Sequence, residues 1–331
     1  MTRPPTEDIG SLGEFGLIAK IKGLLPQGPD IVLGPGDDAA IIKASDGLVV
    51  ATTDMAVEDI HFRRDWSSAR QIGAKVAAAN LADLVCKGAR PTALLVALGV
   101  PANLPAEWAL ELAMGLRDEA AKVGASIVGG DMSRSEKIVI SIAALGSLDG
   151  RAAVLRSGAK VGDLIVLAAT TGLSAAGLTL LKSSNIPDAD RFEELLSAHR
   201  TPRLVYQLAL DLATSGAHSM CDVSDGLIAD LGHICQASGV KGRIDPARLD
   251  LSTLQDAAAM LSVDPLRWAL AGGEDHAFVA TVDPETPLPG GVRVIGEVVS
   301  GSGVEVVGID VSHWLGGHDH FDLRHSRSST S

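Results

Sequence analysis

Aspartates that follow short β-rich or glycine-rich runs are the residues of this sequence whose type and placement could do chemistry. Asp54 follows LVVATT, Asp131 follows SIVGG and Asp222 follows SMC. Open α/β sheets bind ligands just outside the strand ends, so carboxylates at these positions are expected to line one crevice. An aspartate after a strand also commonly begins a turn. Three such occurrences together favour a binding site.

Asp83 lies on the apolar stripe of a predicted helix. Steps of four and three residues place these residues on one helix face: Ile72, Val76, Ala79, Asp83 and Cys86. A carboxylate buried there needs a cation or hydrogen-bond donors. A structural salt bridge with Arg90 or Lys87 would meet that need, and so would a metal ion, which the sequence slightly favours.

Two loops add further acids. Segment 34–40 reads GPGDDAA, where glycine permits close backbone approach to a ligand, although a plain tight turn is the alternative. Segment 222–227 reads DVSDGL, and Ser224 or Asp225 is expected to cap the helix that follows. Amides at a helix start can hold a phosphate, and nearby acids can hold a metal ion that bridges it. The chain lacks the P-loop pattern GxxxxGK[ST].

Together these acids would form a strongly anionic pocket, in which unpaired carboxylates repel one another and raise their pKa values. Hard divalent cations resolve this repulsion, because Mg²⁺ favours carboxylate, phosphate and water oxygens. The sequence therefore predicts a Mg²⁺-nucleotide site formed by Asp38, Asp54, Asp83, Asp131, Asp222 and Asp225.

Composition narrows the class of protein. The chain has 331 residues, 46% of them hydrophobic, which predicts about two globular domains. A net charge of −13 and only 3% aromatic residues argue against nucleic-acid binding. Three cysteines without CxxC spacing suggest a reducing compartment. No apolar run indicates a signal peptide or a membrane span, so we expect a cytoplasmic protein without a membrane or nucleic-acid partner.

Strands and helices alternate along both halves of the chain, and we place one domain boundary near residue 150. In the first half, the pattern predicts a helix from Ser67 or Ser68 to about Lys87 and a strand over 92–100. In the second half, Pro202 is expected to begin a helix that ends near Thr214.

Eight short motifs occur in a fixed order: GEF at 13–15, GDDA at 36–39, TTD at 52–54 leading to HF at 61–62, NLAD at 80–83, GGD at 129–131, RSG at 156–158, DVSDGL at 222–227 and GGED at 272–275. In this order they resemble the thiamine-monophosphate kinase family, within the superfamily of aminoimidazole ribonucleotide synthetase. The resemblance extends from about Gly13 to Phe321.

The resemblance implies an α/β fold (α+β layers) with two domains. Residues 1–150 would form an N-terminal domain that binds ATP and Mg²⁺ and whose sheet pairs across a homodimer. Residues 151–331 would form a C-terminal α/β domain that completes the active site. The implied reaction transfers the γ-phosphoryl group of ATP to thiamine monophosphate, giving thiamine diphosphate and ADP.

Matching positions carry the implied roles. Several Mg²⁺ ions would be held by Asp38, Thr52, Thr53, Asp54, Asp83, Asp131, Asp222 and Asp225. ATP would be contacted by Gly130, Asp131, Arg156 and Ser224. Thiamine monophosphate would be contacted by His61, Glu274 and His318.

The sequence departs from the family pattern in two places. The family usually continues Tyr-Glu after GGED, where this chain has His276 and Ala277, and His318 replaces an aromatic residue near the C-terminus. Both changes are expected on the acceptor side of the site rather than the metal side.

The acceptor chemistry needs no dedicated catalytic base. The second pKa of a phosphate monoester is ~6, so its attacking oxygen is largely ionised at neutral pH. Catalysis then depends on alignment and on cations that offset repulsion between two polyanions. Two alternatives stay open: another ATP-using member of the superfamily, such as a selenophosphate or aminoimidazole ribonucleotide synthetase, and a non-catalytic acidic module that binds metal or nucleotide. The first cysteine is Cys86, which counts against a selenophosphate synthetase.

Overall fold

The structure is a computed structural model that describes residues 8–12, 14–35, 40–183, 189–311 and 314. Within these ranges no helix combines the length and apolar character needed to cross a bilayer. The helices are α1 (Ile9–Leu12), α2 (Glu14–Lys22), α3 (Ala69–Val85), α4 (Ala106–Ala121), α5 (Leu173–Lys182), α6 (Glu193–Arg200), α7 (Tyr206–Thr214), α8 (Leu227–Ser238), α9 (Gln255–Leu261) and α10 (Pro265–Ala271).

The strands form a two-stranded, a four-stranded and a six-stranded sheet. Their orders are β1-β2, β3-β6-β4-β5 and β12-β9-β11-β7-β10-β8. In chain order the strands are β1 (Ile31–Leu33), β2 (Ile41–Ile42), β3 (Val50–Val57), β4 (Arg90–Val100), β5 (Ser126–Arg134), β6 (Val139–Ser147), β7 (Leu164–Ala168), β8 (Ser219–Val223), β9 (Lys241–Ile244), β10 (Ala277–Val282), β11 (Val292–Val299) and β12 (Gly303–Val306).

The four-stranded sheet is covered on one face by α3 and α4. Helix α3 has Ser68 as its N-cap, one of the two starts that the sequence predicted, and the side chains of Ser68 and Gln71 form a reciprocal capping box. The two helices approach closely, since a Cβ on Gly73 would lie 2.2 Å from the carbonyl oxygen of Leu112. Strand β3 alternates between the covered face and an exposed face, so every second side chain points toward α3.

The six-stranded sheet contains a fully buried strand, β10, which lies between β7 and the end strand β8. Helix α8 packs against β8, and α5 and α6 pack against each other beside them. The predicted start of a helix at Pro202 is wrong, because α7 begins at Tyr206. One hydrophobic cluster joins the two sheets, since Leu81 and Ile142 belong to the same buried group as Phe278.

Candidate active site

The inner face of β3 brings part of the predicted metal set to α3. The Thr52 hydroxyl donates a 2.7 Å hydrogen bond to Asp83 Oδ2. The backbone N–H of Asp54 donates to Asn80 Oδ1 at 3.1 Å, and Asn80 is fully buried. The alternative salt bridge from Asp83 to Arg90 is wrong, because Arg90 pairs with acids elsewhere. Asp83 and Asp54 are therefore held beside each other by polar groups of the N-terminal half.

The C-terminal half contributes Asp222 to the same cleft. Asp222 lies within β8, is buried, and is close enough to Asp54 and Asp83 to raise the pKa of each. Its Oδ2 lies 3.0 Å from His276 Nδ1, and that imidazole is also buried. His276 was expected on the acceptor side; the structure instead places it against a predicted metal ligand. In the sequence, His276 was marked only by its departure from the tyrosine that the family usually has at this position.

We define the cleft cluster as Asp54, Asp83 and Asp222. Burial, followed by the charge of Asp222, raises the pKa of Asp83 to about 6, although the hydrogen bond from Thr52 opposes the rise. Burial and Asp222 also raise the pKa of Asp54. Among the described residues no three acidic, histidine or cysteine side chains are arranged to hold a metal ion. The raised pKa values show that the cleft cluster concentrates negative charge, and a divalent cation would relieve this repulsion.

The loop between β8 and α8 is fixed by a residue that the sequence did not single out. The N-cap of α8 is Gly226 and no side chain caps it, so the predicted cap at Ser224 or Asp225 is wrong. Asp230 Oδ2 instead accepts the backbone N–H groups of Asp225 and Gly226 at 3.0 and 3.1 Å. Because Asp230 accepts these N–H groups from within the helix, the side chains of Ser224 and Asp225 are not used to cap α8.

The Arg156 loop is anchored by the last residue of α8. Ser238 Oγ accepts the N–H groups of Gly158 and Ala159 at 3.1 and 3.2 Å and donates to the Arg156 carbonyl at 3.2 Å. Arg156 itself is exposed. A loop held by its backbone can thus present a cationic side chain outward.

Two predicted ligands lie away from the cleft cluster. Asp54 and Asp131 lie inside β3 and β5 rather than after them, because both strands continue along their neighbours. Thr53 and Asp131 are exposed on the uncovered face, whereas Thr52 faces α3. β3 and β5 are opposite edges of the sheet, three strand spacings or about 14 Å apart. Gly130, beside Asp131, packs so tightly that a Cβ would lie 1.9 Å from the carbonyl oxygen of Val96.

The predicted acceptor residues are held by their surroundings. His61 Nδ1 accepts the backbone N–H of Val57 at 3.0 Å, which places the ring proton on Nε2 in the neutral form. Glu274 adopts a left-handed backbone with φ of 65° and pairs with buried Lys75 at 3.0 Å. His199 Nδ1 lies 3.4 Å from the other Glu274 oxygen. Lys75 and His199 were missed by sequence reasoning, because each is distant from Glu274 along the chain.

Predicted ligands Asp38 and His318 lie outside the described residues.

Comparisons with known proteins agree with this fold. Residues 36–148 match the N-terminal domain of the AIR synthase related protein family, and residues 160–309 match its C-terminal domain. The thiamine-monophosphate kinase of Mycobacterium tuberculosis (strain ATCC 25618 / H37Rv) is 45% identical over 317 residues, which cover 95% of this chain and 92% of that protein. This chain belongs to the thiamine-monophosphate kinase family.

Solved structures of thiamine-monophosphate kinases share the architecture. The enzyme from Stenotrophomonas maltophilia K279a superposes with a TM-score of 0.79 at 31% identity, covering 89% of this chain and 97% of that one. The structure of AaThiL complexed with AMPPCP and TMP superposes with a TM-score of 0.76 at 29% identity, covering 96% and 99%. The α/β fold expected from the motifs is confirmed.

Proposed function

We propose that this protein phosphorylates thiamine monophosphate to thiamine diphosphate with ATP as the co-substrate. The observation that carries the proposal is the cleft cluster, in which Asp54 and Asp83 of one sheet and helix meet Asp222 of the other sheet. The related AaThiL structure holds AMPPCP, an ATP analogue, together with TMP. A site between the two halves of the chain could bind the two phosphate-bearing substrates next to each other.

Magnesium is part of the proposal because the donors suit it. The side chains near the cleft offer hard carboxylate and hydroxyl oxygens, and burial together with the charge of Asp222 raises the pKa of Asp54 and of Asp83. Bound Mg²⁺ would supply positive charge to the phosphates and align them. The residues that would hold it are Thr52, Asp54, Asp83, Asp222 and Asp225, with Asp38 expected to join them.

The protein's own groups orient the two substrates. The outward-facing Arg156 and the loop of Ser224, preorganised by Asp230, would hold ATP. His61 would donate from Nε2 to the acceptor phosphate, and Glu274 would contact the acceptor ring. An acceptor oxygen then forms a bond to the γ-phosphorus while the bond from that phosphorus to the bridging oxygen breaks, releasing ADP. The acceptor oxygen is already ionised, so no side chain is assigned as a base.

We also propose that the protein is a homodimer. Thr53 and Asp131 face away from the cleft cluster within one chain, and Asp131 lies on the opposite sheet edge from Asp54. Strand β3 is an edge of the four-stranded sheet, where backbone groups of a second sheet can pair, and Met55 on its uncovered face is 58% exposed. If β3 of one copy pairs with the sheet of a second copy, the predicted metal ligands Thr53 and Asp131 could be contributed by two copies of the chain. In this proposal residues 1–150 bind nucleotide and dimerise, residues 151–331 complete the site, and the protein works in the cytoplasm.

A phosphoryl-transfer assay tests the function. Purified protein with Mg²⁺-ATP should form thiamine diphosphate from thiamine monophosphate, but form no product from thiamine, selenide or formylglycinamidine ribonucleotide. ADP release that requires one of the other acceptors would favour another superfamily activity. Binding of Mg²⁺-ATP with no thiamine diphosphate formed would favour a non-catalytic binding module.

A further inference from the structure

A buried lysine lies behind the proposed acceptor carboxylate. Lys75 occupies α3, and only 11% of its side chain is exposed. Its Nζ lies 3.0 Å from Glu274 Oε1, while 37% of the Glu274 side chain is exposed. A buried ammonium needs a partner of opposite charge. Here that partner is the Glu274 carboxylate, which is itself partly exposed. The pair therefore differs from an ion pair sealed inside a core.

The second oxygen of Glu274 is held from the other side. His199 Nδ1 lies 3.4 Å from Glu274 Oε2 and 3.1 Å from the hydroxyl of Ser174. Burial, followed by the charge of Lys75, lowers the pKa of His199 to about 4, so this imidazole is neutral at physiological pH. Although burial opposes the shift, Lys75, His199 and His276 together lower the pKa of Glu274, so this carboxylate retains its negative charge.

The backbone of Glu274 is fixed as well. Its φ of 65° is in the left-handed region, and its N–H donates a 2.7 Å hydrogen bond to the carbonyl of Ser224. The preceding residue, Gly273, packs so closely that a Cβ would lie 2.4 Å from the same carbonyl oxygen. Such a conformation persists only where the surroundings determine it, and it is common at ligand-binding sites. The turn thereby couples Glu274 to the loop proposed to hold ATP.

We propose that Lys75 is a positioning residue for acceptor recognition, which with His199 orients the Glu274 carboxylate toward the ring portion of the acceptor. This inference rests on the proposed function. A fixed carboxylate recognises a cationic or N–H-bearing heterocycle, and thiamine monophosphate carries both a thiazolium and an aminopyrimidine. Lys75 belongs to α3, which also carries Asp83, so one helix supports both the acceptor carboxylate and the cleft cluster.

Steady-state kinetics of Lys75→Met test the proposal. We expect the KM for thiamine monophosphate to rise about tenfold, the KM for ATP to change less than about twofold, and Lys75→Arg to restore most of the loss. In a Glu274→Gln background, Lys75→Met should change the KM for thiamine monophosphate less than about twofold, because the group that it positions is already altered. Equal rises in both KM values, or independent effects of the two substitutions, would overturn the proposal.

Lys122→Met is the matched control. Lys122 pairs at 2.6 Å with Glu119, a carboxylate that is 1% exposed, so its loss also breaks an ion pair to an acid. It should leave the KM for thiamine monophosphate unchanged; a rise equal to that of Lys75→Met would show a general packing effect and overturn the proposal. Wild-type turnover separates the two hypotheses. An inactive wild type refutes the proposed function and this inference with it, whereas an active wild type with an unaltered Lys75→Met variant refutes only the inference.

Discussion

Two buried acidic regions join the halves of this protein, and they differ in what surrounds their carboxylates. Glu119 on α4 accepts a 2.8 Å hydrogen bond from the hydroxyl of Tyr206 on α7 and pairs with Lys122. In the cleft cluster, Asp83 accepts a hydrogen bond from Thr52 and Asp222 pairs with His276, but these two carboxylates also face each other and Asp54. The first region satisfies its carboxylate within the fold. The second leaves charge to be neutralised by something that binds.

The pKa values express the same contrast. Burial, together with Glu119, raises the pKa of Tyr206 far above its usual range, which keeps this hydroxyl a donor at every physiological pH. Burial and Asp222 raise the pKa of Asp83 to about 6, near the working pH. A carboxylate with a perturbed pKa in a cleft is typical of a functional site, whereas a saturated pair is typical of a structural one.

Asp83→Asn should produce the largest effect, because it alters the cleft cluster alone. We expect turnover to fall by about a thousandfold through lost cation binding. The melting temperature in metal-free buffer should stay equal or rise, since one like charge is gone. Mg²⁺ with AMPPCP should stabilise the wild type but not the variant. Asp118→Asn, which alters a half-buried acid on α4 away from the cleft cluster, is the control; an equal loss of turnover there would contradict the contrast.

The next largest effect is expected in the pH dependence of the free energy of unfolding, because the buried imidazole of His199 stays neutral in the folded protein. Its pKa is lowered from the ordinary 6.5 to about 4, so the unfolded chain binds a proton that the folded protein excludes between these values. The free energy of unfolding should therefore fall with decreasing pH in that window, by up to about 3 kcal/mol. Urea unfolding of wild type and His199→Asn at pH 7, 5.5 and 4.5 measures it. Parallel pH profiles for the two proteins would argue against a neutral buried His199.

Glu119→Leu tests the structural region. It removes the acceptor of the buried Tyr206 hydroxyl, and we expect a stability loss of about 2 kcal/mol with turnover within about twofold of wild type. The loss should shrink in a Tyr206→Phe background, because no donor is then left unpaired. Denaturant unfolding and the kinase assay measure the two quantities. A large drop in turnover with little loss of stability would reverse the assignment of the two regions.

The smallest effect is expected from Asp230→Ala, which loosens one loop beside the cleft cluster. Losing the hydrogen bonds to Asp225 and Gly226 should cost about 1 kcal/mol of stability. The KM for ATP should rise about fivefold, because Ser224 is no longer held in place. Asp245→Ala removes a comparable hydrogen bond to Ala247 and serves as the control. Similar KM values in both variants would show that the loop needs no support from Asp230.

Local signals predicted much of the fold. The helix start at Ser68 and the apolar run of β4 depend on neighbouring residues, and the structure contains both elements. The predicted starts of α7 and α8 were wrong because proline, serine and aspartate are tolerated in loops as well as at helix starts. At α8, the acceptor for the backbone N–H groups is Asp230, which lies within the helix itself. Asp131 was placed after a strand because glycines mark turns, but pairing with β4 extends β5 past it.

The sequence by itself determined the family, the kinds of ligand-binding groups and the excess of negative charge, because these depend on residue identity and order. Only the tertiary structure decided which groups meet. Successive side chains of a strand point to opposite faces of the sheet, so the adjacent residues Thr52 and Thr53 lie on opposite faces. Because α3 packs on only one of these faces, Thr52 rather than Thr53 contacts Asp83. Contacts such as Lys75 with Glu274 join residues far apart in the chain, and folding alone brings them within 3.0 Å.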